Sequence, residues 1–222
     1  MLQPTTIQFL KNLKKNNHKE WFEKNRTIYE TAKADYLLFI EKVLHELKKK
    51  DTTLEGVEAK KCVFRINRDV RFSKDKSPYK TNMGASFSKG GKKTLLAGYY
   101  FHAEPGQSFI AGGLWMPMAA ELQKVRQEID YNANEFHKMI TAKKLITQFG
   151  GLEKNKEYVL TRPPKGYDIN NAAIEYLKFK SFIVLKNIAD KELTEASLLK
   201  NIVTSFETMI PFIHFLNRAL ED

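Results

Sequence analysis

The stretch that decides the fold is Met83–Trp115, MGASFSKGGKKTLLAGYYFHAEPGQSFIAGGLW. Three β-rich runs lie within it: Met83–Ser88, Thr94–Ala103 and Gln107–Trp115. Gly90-Gly91 and Glu104-Pro105-Gly106 separate them, and such Gly and Pro breaks are typical of tight turns between strands. The stretch predicts an antiparallel meander of three strands. Lys61–Asn67, with apolar residues at alternate positions, is predicted to add a fourth strand.

Patterns typical of helices lie on both sides of this region. Before it, apolar residues recur at helical spacing after Thr5 and again, after a cap at Asn17, along Trp21–Lys50, which is predicted as one long helix broken at most once. After it, helices are predicted over 117–130, 133–149 and 170–177 and from Ser197 onward, with Lys180–Lys186 as a strand-like run. Pro211 is expected to kink or divide the last helix.

The order of these elements indicates the fold class. Strands that are flanked by runs of helices, without regular βαβ alternation, are typical of α+β proteins. We therefore predict one α+β domain over residues 1–222. Its antiparallel or mixed sheet has four to five strands and is flanked by N- and C-terminal helices.

Composition limits the class of protein further. Of the 222 residues, 42% are hydrophobic, which is enough to build a core. No apolar run approaches the ~18 residues that cross a bilayer, and the N-terminus lacks the pattern of a signal peptide. The single cysteine, Cys62, has no internal disulfide partner and is expected to be a small buried hydrophobe. These features predict a cytoplasmic protein with no membrane association.

The positive charge is concentrated in one segment. The whole chain carries a net charge of +11, whereas Phe64–Lys93 alone has nine basic and two acidic residues, a net charge of +7. Charge that is gathered in one segment indicates an anionic partner, which could be a small molecule or a nucleic acid.

Within this segment, Phe64–Lys80 (FRINRDVRFSKDKSPYK) has the composition of a binding site. Arginine offers a fork of donors that suits phosphate or carboxylate, aromatic rings can stack on a ligand, and an aspartate can orient an arginine or act as a base. The predicted ligand-binding residues are Arg65, Arg68, Asp69, Arg71, Phe72, Asp75, Lys76, Tyr79 and Lys80. By contrast, Lys89–Lys93 is interpreted as a solvated turn that adds charge without specificity.

The leading hypothesis is therefore an uncharacterised protein that binds an anionic, phosphate-bearing ligand through this segment. One alternative is a nucleic-acid-binding accessory protein. A second is a protein–protein interaction module without a ligand, in which ion pairs such as that of Asp69 with Arg71 only brace a loop. The residues assign neither a catalytic role, nor a cofactor, nor an oligomeric state.

Other chemistries lack their motifs. The five histidines are scattered, and with a single cysteine they predict no metal site. No Gly-x-Ser-x-Gly elbow is present. The run Gly90–Thr94 is not a Walker loop, because Ser86 stands where the first Walker glycine would be.

The segment Phe64–Lys80 also resembles a known family. Together with Trp21-Phe22-x-x-Asn25-Arg26-x-x-Tyr29-Glu30, Ala111–Trp115 and Lys178–Phe182, it is similar to the bacterial domain-of-unknown-function 2461 family. The resemblance covers roughly Phe9 to Leu220 and implies a single bacterial cytoplasmic domain. It implies no activity, cofactor or catalytic residue.

Overall fold

The computed structural model describes residues 1–221. Its helices are α1 Pro4–Lys15, α2 Lys19–Lys24, α3 Arg26–Lys48, α4 Ala59–Cys62, α5 Ala119–Tyr131, α6 Ala133–Ile140, α7 Lys143–Phe149, α8 Ile174–Leu177 and α9 Leu198–Glu221. Its strands are β1 Met83–Phe87, β2 Gly98–Ala103, β3 Ser108–Leu114 and β4 Phe182–Ile188. They form one antiparallel sheet in the order β1-β2-β3-β4, which confirms the α+β prediction.

The predicted meander forms as β1, β2 and β3. In β2 the side chains of Tyr99, Phe101 and Ala103 are buried, while the residues between them are only half-buried. This alternation places one face of the strand in the core. The tight turn after β2 contains Gly106 with a φ of 83°, a left-handed conformation that glycine adopts without strain.

The fourth strand of the sheet is β4, and the prediction of a strand at Lys61–Asn67 is wrong. The chain forms the short helix α4 up to Cys62, and beyond it only isolated bridges pair Val63 with Ala85 and Asn67 with Tyr79. β2 is also shorter than predicted, since residues 94–97 form a turn in which the Leu96 amide donates to the Thr94 hydroxyl.

The helices before the sheet follow the predicted pattern with one change. The long helix is broken once, at Asn25, between α2 and α3. The cap of α2 is His18 rather than Asn17, because His18 Nδ1 accepts from the Trp21 amide at 3.4 Å. Asn17 has a different role, described below.

Two helix predictions after the sheet are corrected. The run 133–149 forms two helices, because Ala142 leaves the helical conformation with a φ of −54° and a ψ of 131°. Pro211 lies inside α9 without dividing it. Phe206, Phe212 and Leu216 of α9 are fully buried, and this burial outweighs the cost of about 3 kcal/mol of an internal proline. No helix among residues 1–221 is long and apolar enough to cross a membrane.

Contacts group the residues into two compact units. The first comprises Met1–Lys92, Tyr100–Ile110 and Asn187–Thr204. Its core includes Tyr36 and Phe39, whose rings pack against Phe101 with centroids 6.1 and 5.8 Å away.

The second unit comprises Lys93–Tyr99, Ala111–Lys186 and the residues from Ser205 onward. Its core is aromatic, and the ring of Phe136 lies 5.2 Å from Phe215 and 6.3 Å from Phe182. Whether the two units make a single domain stays a prediction.

Candidate functional site

The predicted site segment folds as an irregular hairpin, residues 63–85, within the first unit. Phe64 donates its amide to the Gly84 carbonyl at 3.0 Å, and Lys80 donates its amide to Ile66 at 2.8 Å. Arg68 donates its amide to the Pro78 carbonyl at 2.9 Å, which closes the base of a loop over residues 68–77. The structure thus divides the predicted site into residues of the loop and residues of the two paired arms.

The loop arginines are occupied by carboxylates of the same loop. Arg68 forms an ion pair with Asp75. Arg71 donates from Nε and from a terminal nitrogen to the two oxygens of Asp69, at 2.9 and 2.7 Å. These are bidentate or close pairs, so each guanidinium group is held by a carboxylate of the loop.

The loop carboxylates are held in their ionised form. Hydrogen bonds from Ser77 and from Arg68 lower the pKa of Asp75 strongly. The hydrogen bonds from Arg71 lower the pKa of Asp69. A carboxylate with a lowered pKa is a weak base near neutral pH, so neither aspartate is suited to proton transfer there.

The remaining loop residues face different surroundings. Lys76 donates from Nζ to the Val70 carbonyl at 3.0 Å and so braces the loop. Phe72 is 95% exposed, and the Arg71 guanidinium lies 5.8 Å from its ring centroid.

Tyr79 is part of the core instead of a surface wall. Its ring is 6% exposed and stacks on Phe22 at a centroid distance of 3.9 Å and an interplanar angle of 14°. Asn17 holds its backbone from both sides, since Asn17 Oδ1 accepts from the Tyr79 amide at 3.1 Å and Asn17 Nδ2 donates to the Tyr79 carbonyl at 2.9 Å. The Asn17 side chain, which follows α1 in the sequence, therefore anchors the hairpin.

Phe64 lies near two lysines, Lys80 of the hairpin and Lys92 between β1 and β2. Lys80 Nζ and Lys92 Nζ lie 5.4 and 5.7 Å from the centroid of the Phe64 ring. Burial lowers the pKa of Lys80, and the charges of Arg65 and Lys92 lower it further. We call Phe64, Arg65, Lys80 and Lys92 the Phe64 cluster. Within residues 1–221, none of its three cations forms an ion pair, although Lys92 Nζ also donates to the Val63 carbonyl.

Next to this cluster, β2 carries a chain of titratable side chains. Tyr100 and His102 alternate with the buried residues of the strand and so lie on its other face, and Glu104 directly follows the last residue of the strand. The Tyr100 hydroxyl is 3.0 Å from His102 Nδ1, and His102 Nε2 is 3.1 Å from Glu104 Oε2. Thr81 donates its hydroxyl to Glu104 Oε1 at 2.6 Å. We call Tyr100, His102 and Glu104 the β2 network.

The surroundings set the charge states of the β2 network. Burial raises the pKa of Tyr100 to about 12 and lowers the pKa of His102, which the hydrogen bond to Glu104 offsets only in part. For Glu104, burial opposes ionisation, but the hydrogen bonds from Thr81 and His102 outweigh it and lower the pKa. At neutral pH the network is therefore a phenol, a neutral imidazole and a carboxylate.

The cluster and the network adjoin through aromatic contacts. The ring of Phe64 lies 6.2 Å from that of Tyr100 in an edge-on arrangement. On the other side, Phe109 stacks on His102 with centroids 4.6 Å apart and an interplanar angle of 12°. Gly84 admits the Tyr100 side chain closely, because a Cβ at this position would lie 2.5 Å from the Tyr100 hydroxyl oxygen.

Both the hairpin and the network fall within a region that matches a known family. The family model described as a conserved hypothetical protein, DUF2461, matches residues 5–215. The chain belongs to the DUF2461 family. This confirms the resemblance seen in Phe64–Lys80, whereas a bacterial origin stays a prediction. No curated protein and no solved structure matches the chain significantly.

DUF2461 membership assigns no residue role, so the site rests on geometry. Sequence reasoning found Arg65 and Lys80 of the Phe64 cluster but interpreted the run that contains Lys92 as a solvated turn. It missed the β2 network, treating His102 as one of five scattered histidines. The available signal was the period-2 spacing Tyr-x-His-x-Glu, which begins in a predicted strand and ends at the first residue of the predicted turn, and which places Tyr100 and His102 on one face of the strand.

Other features of this DUF2461 chain offer less for chemistry. Among residues 1–221, no three His, Cys, Asp or Glu side chains converge as a metal site would require. Cys62 is fully buried, and burial raises the pKa of its thiol to about 11. The second unit has a cleft of about 650 Å³ with a mostly apolar lining that includes Ile146, Leu152 and Phe179.

Proposed function

We propose that the protein binds an anionic, phosphate-bearing small molecule at the Phe64 cluster. One observation carries the proposal: Lys80 and Lys92 lie near one aromatic ring, Arg65 is close enough to lower the pKa of Lys80, and none of the three forms an ion pair among residues 1–221. Like charges that are held close together cost free energy, and a bound anion removes that cost. The half-buried setting of Lys80 and Lys92 strengthens the attraction relative to exposed lysines.

The loop 68–77 contributes in a different way. Arg68 and Arg71 form ion pairs with Asp75 and Asp69. They therefore stabilise the shape of the loop and add little net positive charge to the site. Exposed Phe72 at its tip is free to cover a bound ring. The proposal thus keeps Arg65 and Lys80 of the predicted site as direct ligand contacts and adds Lys92.

Titration with pyrophosphate, followed by calorimetry, tests the proposal. We expect Lys80→Ala to weaken binding at least about tenfold, since a charge-assisted hydrogen bond is worth about 1.5–3 kcal/mol. Lys74→Ala is the matched control, because Lys74 is an exposed lysine of the same hairpin. It should change the affinity less than about twofold. Arg71→Ala should resemble this control.

Three results would contradict the proposal. The first is no saturable binding of pyrophosphate, and the second is equal affinity in Lys80→Ala and the unmodified protein. The third is an equal loss in Lys80→Ala and Lys74→Ala, since that would indicate binding to overall positive charge. If Arg71→Ala lost as much affinity for pyrophosphate as Lys80→Ala, the loop arginines would be part of the binding site.

A further inference from the structure

The β2 network has the connectivity of an activated nucleophile. A hydroxyl donates to an imidazole nitrogen, and the opposite imidazole nitrogen donates to a carboxylate. Since the pKa of His102 is lowered and that of Glu104 is lowered as well, the imidazole is neutral and the carboxylate ionised. This fixes the directions: Nε2–H donates to Glu104, which leaves Nδ1 as the acceptor for the Tyr100 hydroxyl. Nucleophile, base and orienting group follow one another at hydrogen-bond distance.

The network is rigid as well as connected. The His102 and Glu104 side chains are only 12% and 11% exposed. Each Glu104 oxygen has its own partner, Thr81 at Oε1 and His102 at Oε2. Stacking of Phe109 fixes the plane of the imidazole. A base that is held in one orientation needs no reorganisation when it accepts a proton.

A second tyrosine–histidine pair in the chain lacks this arrangement. His137 Nδ1 is hydrogen-bonded to the hydroxyl of Tyr176, and both tyrosines, 100 and 176, are half-buried. Within the described residues 1–221, no carboxylate is bonded to the His137 ring. The Tyr176 pair is therefore an internal reference that has the hydroxyl and the base but no orienting carboxylate.

We propose that Tyr100 is a nucleophile toward phosphate esters, with His102 as its base and Glu104 as the group that orients His102. The substrate class rests on the proposed function, because the Phe64 cluster would hold the phosphate beside Tyr100. The reactivity of Tyr100 itself follows from the β2 network alone.

The step balances without a further reagent. The Tyr100 oxygen forms a bond to phosphorus while the bond from phosphorus to the leaving oxygen breaks. The phenol proton passes to His102 Nδ1, and the resulting imidazolium is stabilised by the Glu104 carboxylate. His102 then gives this proton to the leaving oxygen. Water hydrolyses the aryl phosphate in a second step, in which His102 accepts a proton from water and returns one to the Tyr100 oxygen.

Labelling with an aryl sulfonyl fluoride measures the nucleophile directly. In this reaction the tyrosine oxygen bonds to sulfur, fluoride leaves, and the base accepts the phenol proton. At neutral pH the raised pKa of Tyr100 keeps it from ionising unaided, so fast labelling requires His102. Peptide mass spectrometry of the full chain should show labelling of Tyr100 on the order of tenfold or more faster than of Tyr176.

Variants separate a reactive site from a structural one. His102→Gln should slow labelling of Tyr100 on the order of 100-fold, and Glu104→Gln by about tenfold or more. Labelling of Tyr176 in the same samples should stay constant, which shows that the variants remain folded. Tyr100→Phe should remove the label at that position. Equal rates for Tyr100 and Tyr176, or a Tyr100 rate that is unaffected by His102→Gln, would overturn the proposal.

Competition between pyrophosphate and the labelling reagent tests the substrate class separately from the reactivity of Tyr100. Pyrophosphate should protect Tyr100 from labelling in the unmodified protein and fail to do so in Lys80→Ala. Fast labelling without protection would overturn the assignment to phosphate esters and the proposed binding site while leaving the reactive tyrosine in place. Protection together with slow labelling would overturn the nucleophile and keep the binding site.

Discussion

The His102 ring is held by two hydrogen bonds and one stacking contact. It is bonded on both nitrogens and stacked on Phe109, at the cost of removing an imidazole from water. Burial of a polar ring is tolerated only when its hydrogen bonds are made within the protein. The neutral form satisfies both contacts, so the folded state favours the unprotonated imidazole.

We expect His102 to titrate below the ordinary histidine pKa of 6.5. Because the folded-state pKa is lowered, the contribution of His102 to stability is full above the unfolded-state pKa of about 6.5 and is lost as the pH falls from there through the folded-state pKa. Glu104→Gln should lower the pKa further, because the carboxylate stabilises the imidazolium. NMR titration of the imidazole protons, assigned with His102→Gln, measures this. A midpoint at or above 6.5 would contradict it.

Single residues also show that side-chain partners could not be predicted from the sequence. Arg68 and Arg71 form ion pairs within the loop. Which carboxylate lies near each arginine depends on the path of the backbone, and composition does not specify this path. Tyr79 was a reasonable candidate for a ligand wall, yet its stacking partner Phe22 is far away in the sequence. Lys92 joins the Phe64 cluster from a shorter distance along the sequence, but also through a tertiary contact. The sequence was sufficient to predict which segment carries the positive charge. It did not predict which of the arginines form ion pairs with carboxylates.

Among the elements, the hairpin 63–85 depends on a side chain outside it. Its second arm runs into β1 of the sheet, but its two arms pair with each other only through isolated bridges at Val63–Ala85 and Asn67–Tyr79, and such a pair of arms alone is marginal in water. The two hydrogen bonds between the Asn17 side chain and the Tyr79 backbone supply contacts that a neighbouring strand would otherwise provide there. The position of Lys80, one residue further, follows from this anchor.

We expect Asn17→Ala to lower the free energy of unfolding by about 1–3 kcal/mol, because it leaves a half-buried amide and a carbonyl of Tyr79 unpaired. Urea denaturation followed by circular dichroism measures the change. Asn201→Ala is the control, since Asn201 is exposed on α9 and should change stability by less than about 0.5 kcal/mol. Equal effects of the two substitutions would show that Asn17 is no anchor.

The elements themselves could be predicted where local signals agreed. The turn residues and alternation of Met83–Trp115 were sufficient for three strands. Lys61–Asn67 has alternating apolar residues too, but its first residues form a helical turn that buries Cys62, and β4 becomes the fourth strand. Pairing of distant segments depends on tertiary contacts, which a period of two residues does not encode.

At the scale of the whole molecule, the net charge of +11 raises the question of nucleic acids. Part of the segment charge is cancelled locally by Asp69 and Asp75. The Phe64 cluster has three cations, of which Lys80 and Lys92 lie near one ring. A compact group of this size suits one phosphate group rather than a phosphate backbone, which extended basic surfaces follow.

We expect a labelled single-stranded oligonucleotide to bind weakly, with a log–log salt slope no steeper than about −2, given about 0.7 counterions released for each phosphate contacted. Fluorescence anisotropy across a salt series measures the slope. Pyrophosphate at the same salt concentration is the reference ligand. A steeper slope, combined with saturable binding near physiological salt, would favour the nucleic-acid alternative.

Cys62 gives the protein a practical advantage for spectroscopy. It is the single cysteine of the chain, it is fully buried, and its raised thiol pKa keeps it protonated at neutral pH. Maleimides react with thiolates, so the native thiol is nearly silent to them. A cysteine introduced in place of the exposed Phe72 would then be the sole attachment point for a fluorophore or spin label, with no need to remove a native thiol first.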